Sequence, residues 1–76
     1  MSYEPTREAL AGRTVFGSRL KALREERGLT QERLALDAGF DRSFLNEVES
    51  GRHSLQLDRV FDLTHVLGVR ASDLVT

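Results

Sequence analysis

Cysteine is absent from this chain of 76 residues, which excludes a disulfide framework and a thiolate metal site. Histidine is scarce. His53 and His65 stand twelve residues apart, without the i,i+4 pairing or companion cysteines of a zinc site, so no metal ligand set is expected. No apolar run approaches the ~20 residues of a membrane span, and the opening "MSYEPTREALAG" lacks a signal peptide's apolar core. A soluble, cytoplasmic protein with no membrane partner is the expectation. Net positive charge is missing too: 11 basic and 12 acidic side chains leave −1, unlike a general polyanion binder. Any nucleic-acid binding must then come from local charge placement and from shape. Below roughly 70–80 residues a single core needs a staple or unusually good helix packing. With no staple visible, helix packing is what remains, with dimerisation as a further source of burial.

What charge there is lies unevenly. Residues 15–30 carry four basic and two acidic groups, whereas residues 31–41 carry one basic and three acidic. The apolar pattern is helical throughout, with no internal repeat and no strand-length alternation. Residues 1–14 read as an N-terminal arm or a short extra helix after Pro5, closed by Gly12. Phe16, Leu20 and Leu23 then form one stripe of a longer helix. Gly28 should stop it in the left-handed conformation, with Leu29 packing back on the last turn. Thr30 is a good N-cap for a second helix with Leu34, Ala35 and Ala38 on its inner face. Gly39 supplies a turn, and Asp41 caps a third helix whose inner residues are Leu45 and Val48. Leu57, Val60, Leu63, Thr64 and Leu67 share one face of a fourth. "ASDLVT" makes a last turn with Leu74 pointing to the core.

The stretch "TQERLALDAGFDRSFLNEVESG" is therefore two short helices broken at a glycine. Helices below about 12–15 residues are marginal alone, so the longer first and fourth helices must clamp the pair from behind. A steep crossing at the break leaves the second of the pair as a ridge, and an α-helix is about the width that the major groove of B-DNA admits. Its N-terminal turn, beginning at Arg42, is the end that would reach base edges.

Residues 17–74 resemble the Cro/repressor-type helix-turn-helix family, often called XRE-like. "LKALREERGLTQERLALDAG" resembles the family's opening segment, "DRSFLNEVESG" its recognition helix and "LQLDRVFDLTHVLGV" its closing helix. Three linked segments in the right order are a far stronger signal than a bare helix-turn-helix. The resemblance implies an all-α, compact five-helix domain of the lambda-repressor-like kind over residues 15–76. It also implies a transcriptional regulator, repressing or activating, that works as a homodimer on a palindromic operator in double-stranded DNA. Small stand-alone proteins of this kind include phage repressors, antitoxins and restriction–modification controller proteins, and the last group resembles the chain in size and dimeric plan. Residues 1–14 lie outside the pattern, and Leu55 stands where many members have proline.

Carried over by position, the resemblance implies that Arg42, Ser43 and Glu47 face the bases, with Asn46, one turn on from Arg42, either joining them or touching the DNA backbone, and that Thr30, Gln31 and Arg52 meet phosphates. Arg24 and Glu49 match a structural ion pair between the first helix and the end of the recognition helix. Phe61, Val66, Val69, Leu74 and Val75 lie late in the chain, where the family commonly dimerises. The chemistry agrees in part: Arg42 can offer a bidentate fork to guanine, and Glu47 can accept from cytosine N4 while repelling phosphate. The competing expectation is a protein-interaction module that keeps the fold without operator reading. No grouping of nucleophile and base, phosphate-cradling glycine loop or small-molecule pocket is evident, so neither an enzyme nor a cofactor is expected.

Overall fold

The computed structural model describes residues 2–75. Its five helices are α1 (Arg7–Glu26), α2 (Gln31–Ala38), α3 (Arg42–Glu49), α4 (Leu57–Leu67) and α5 (Ser72–Val75). Local chemistry sets most boundaries. The hydroxyls of Thr6 and Thr30 and the carboxylate of Asp41 each accept a backbone N–H three residues on, at 3.0, 3.0 and 3.3 Å. These bonds satisfy donors that a helix start otherwise leaves orphaned. Gly28 ends α1 with φ 69°, and Leu29 N–H closes back on the Arg24 carbonyl at 3.1 Å, the six-residue closure that a left-handed glycine permits. Gly39 ends α2 the same way, with Phe40 N–H on the Ala35 carbonyl at 2.7 Å.

The helix start departs from expectation. Gly12 closes nothing: α1 begins at Arg7 and runs through it, so residues 7–14 are its first two turns, neither arm nor separate helix. A lone glycine inside a helix costs only about 1 kcal/mol against alanine. That is too little to end a helix already capped at Thr6.

The core gathers one stripe from every helix: Leu20, Leu34, Ala35, Ala38, Leu45, Val48, Leu63, Leu67 and Leu74. Each large side chain removed from water contributes about 1.5–3 kcal/mol. On α1 the buried positions are Gly17, Leu20 and Arg24, with Phe16 and Leu23 flanking them half-buried. The centre of the expected stripe is thereby shifted. Its cause is a close approach: a Cβ on Gly17 would press on the carbonyl oxygens of Val48 and Glu49 at the end of α3. Only glycine lets the two helices meet there.

Two further expectations are corrected. Leu57 does not join the inner face of α4 but is 68% exposed, because Leu55 from the preceding loop packs against the core instead. Leu74 cannot belong to a dimer interface, because α5 folds back on α1 and buries it completely within the chain. Among the described residues, no helix is long and apolar enough to cross a membrane.

Candidate nucleic-acid interface

Packing decides which side of α3 faces out. Leu45, Val48 and Glu49 are buried, which leaves Arg42, Ser43, Asn46 and Glu47 exposed on the opposite side. These four, together with Gln31 and Arg52, line one shallow open depression. The structure thus brings all four α3 residues expected to meet DNA and two of the three expected phosphate contacts to one surface. Thr30 lies at its edge, beside Gln31 and Arg42.

Beneath that surface sits the Arg24–Glu49 pair, with side-chain exposures of 9% and 2%. The contact is bidentate: Arg24 Nε donates to Glu49 Oε2 at 2.7 Å and Nη2 donates to Oε1 at 3.0 Å. The remaining arm, Nη1, donates to the Leu29 carbonyl at 2.7 Å. One guanidinium therefore ties α1, the α1–α2 turn and the end of α3 together, which sets the angle at which α3 stands out. The hydrogen bond that Arg24 donates to Glu49 raises the Arg24 pKa, against the opposing pull of burial. Removing either partner of such a buried pair typically costs about 3–5 kcal/mol, because the other charge is left uncompensated.

Gln31 does more than its expected place predicts. Its Nε2 donates to Glu49 Oε1 at 2.9 Å, and its Oε1 accepts from Asn46 Nδ2 at 3.2 Å. A continuous polar chain thus runs from the buried pair through α2 to an exposed side chain of α3. Position at a helix start pointed to Gln31; its bonding depends on the crossing of α2 and α3, which no local pattern encodes.

Arg52 follows the end of α3. Its Nε donates to Ser50 Oγ at 3.0 Å, and its backbone N–H to the Glu47 carbonyl at 2.9 Å. Among the described residues the ion pairs are Arg24–Glu49, Arg33–Asp37 and Arg59–Asp62, so neither Arg42 nor Arg52 is in an ion pair with them.

Sequence reasoning assigned no role to Arg59. It lies over the Phe40 ring at 4.1 Å and donates to the carbonyls of Ala38 at 3.2 Å and Gly39 at 2.5 Å. It closes the C-terminal end of α2, favourable placement for a cation, and packs on the aromatic row Phe40–Phe44–His53 beside the α2–α3 turn. Its i,i+3 partner Asp62 was visible in the sequence; its contacts across the fold were not. Groups of acidic, histidine or cysteine side chains that could hold a metal are absent among the described residues.

The helix-turn-helix family model HTH_3 matches residues 20–74. An HTH-type transcriptional regulator of Sinorhizobium fredii, y4dJ, is 38% identical over 64 residues, which cover 84% of this chain and 83% of the relative. The restriction-modification controller protein C.AhdI from Aeromonas hydrophila superposes with a TM-score of 0.81 at 38% identity, over 84% of this chain and 97% of that one. The biofilm master regulator SinR, solved in complex with DNA, superposes with a TM-score of 0.77 at 27% identity, over 80% of this chain and 98% of that one.

Proposed function

The chain belongs to the helix-turn-helix family HTH_3, and from that premise we propose that it regulates transcription as a homodimer bound to a palindromic DNA operator. In this reading α3 enters the major groove, with Arg42, Ser43, Asn46 and Glu47 toward base edges. The observation that carries it is the shared exposed surface of those four residues with Gln31 and Arg52. A protein whose net charge is −1 keeps two guanidiniums on that one face.

Phosphates flank the groove in two places. At the start of α2, Thr30 uses its hydroxyl oxygen to cap the helix and retains its O–H for donation. Gln31 adds a backbone N–H at the positive end of the helix dipole. Past the end of α3, Arg52 meets the second phosphate. A symmetric dimer sets two copies of α3 about 34 Å apart, one DNA turn, and doubles these contacts. Phe61 and Val75, 54% and 65% exposed, with half-buried Val66 and Val69, supply its apolar interface. The protein works in the cytoplasm as a binding protein, not an enzyme, without a cofactor or small-molecule ligand.

Fluorescence-anisotropy titration against DNA from upstream of the chain's own gene, with a scrambled duplex as control, tests the reading. Specific binding should exceed binding to the scramble by at least about 10³-fold. Arg42→Ala removes one bidentate contact in each half-site, so it should weaken specific binding by at least about 30-fold and leave the scramble nearly unchanged. Equal binding of both duplexes by wild type and variant at low and moderate salt would rule out operator reading at this DNA and favour a protein partner.

A further inference from the structure

Glu49, held at both oxygens by Arg24, is a carboxylate and can only accept hydrogen bonds. Gln31 must therefore turn its NH2 group toward Glu49 and its carbonyl Oε1 away. That outward oxygen is in turn an acceptor, so Asn46 must present its NH2 group to Gln31. One buried charge thus dictates the polarity of two amides in series. Once committed, Asn46 has its Oδ1 and its second Nδ2 hydrogen left to offer, one acceptor and one donor on the same amide. They lie on the exposed face of α3, one turn beyond Arg42.

In the major groove adenine alone presents a matching pair, the N6 amino donor beside the N7 acceptor. Guanine presents two acceptors, cytosine a single amino donor, and thymine an acceptor beside its methyl group. We propose that Asn46 reads adenine, Oδ1 accepting from N6 and Nδ2 donating to N7, and that Gln31 is the positioning residue that holds its amide in that sense. The inference rests on the operator reading and names one of the bases read.

Selection of protein-bound duplexes from a random-sequence library supplies the probe. The enriched duplex is then titrated with single adenines replaced by 7-deazaadenine, which lacks N7, or by purine, which lacks the N6 amino group. At one adenine in each half-site, either analogue leaves one Asn46 group unpaired and should weaken wild-type binding by about 5- to 100-fold. Asn46→Ala should bind the intact and substituted duplexes equally at that position. Gln31→Met, of similar length but without the amide, should lose discrimination at that adenine and keep it elsewhere, with helix content by circular dichroism unchanged.

If Gln31→Met lowers affinity for every sequence by one common factor and leaves base preferences unmoved, the positioning role is overturned. If an enriched duplex shows the same adenine dependence with Asn46→Ala as with wild type, the adenine assignment falls and operator reading stands. If wild-type protein enriches no sequence at all, operator reading falls and takes the inference with it.

Discussion

At Gly17 an added Cβ would come within 2.6 Å of the Glu49 carbonyl oxygen, whereas at Gly12, five residues earlier in the same helix, it would meet nothing within 4 Å. The same substitution therefore has opposite consequences at the two sites. Gly12→Ala reduces the freedom of the unfolded chain without a clash and should stabilise the domain by about 0.5–1 kcal/mol. Gly17→Ala gains the same helix propensity but must push α1 off the end of α3, a strain of about 1–3 kcal/mol. Its net effect should be destabilising by about 1 kcal/mol. In a domain this small about 1 kcal/mol moves Tm by roughly 4–8 °C, so thermal unfolding followed by circular dichroism resolves the signs. A Tm that rises for both variants would mean that the α1–α3 approach yields without cost. Gly17 also shows where sequence patterns stop: a helical glycine looks like a defect until the partner carbonyls are known.

Individual elements were largely legible because their signals are local. Thr30 and Asp41 cap where their side chains predict, and Gly28, Gly39 and Gly68 end helices with positive φ. The two ends of the helix-turn-helix could be read from residues within one turn of each boundary. The start of α1 could not, since Thr6, Pro5 and Gly12 give opposing local signals and the decision lay with the whole 20-residue helix. The eight-residue α3 is far below the length that stands alone, so its cap matters. Asp41→Ala should cost about 1 kcal/mol in chemical denaturation. Hydrogen exchange at the Phe44 and Leu45 amides, bonded to the Asp41 side chain and carbonyl, should accelerate by roughly fivefold. Unchanged exchange at Phe44 would mean that packing alone holds the first turn.

For the whole molecule, what matters is the apolar surface left over once the core is full. Phe61 and Val75 stay exposed, while Leu74, next to Val75, is fully withdrawn. Phe61→Asp should therefore leave the fold of each chain intact, with helix content by circular dichroism unchanged. Sedimentation equilibrium should show the variant as a monomer. Its operator affinity should fall by at least about 100-fold, the usual loss when two linked contacts become one. A variant that remains dimeric would move the interface away from this face of α4.

The helical class, the glycine turns, the caps and the set of side chains available at the surface of α3 follow from the order of residues alone. Those properties depend on neighbours within four residues, where propensity and hydrogen-bonding reach are decisive. Helix packing makes Gly17 a contact point, sets Leu55 rather than Leu57 against the core, brings Arg59 to the end of α2 and lets Gln31 link Glu49 to Asn46. Each of these joins residues distant in the chain. Their outcome rests on helix crossings that packing of the shared core sets, and no local pattern carries that information.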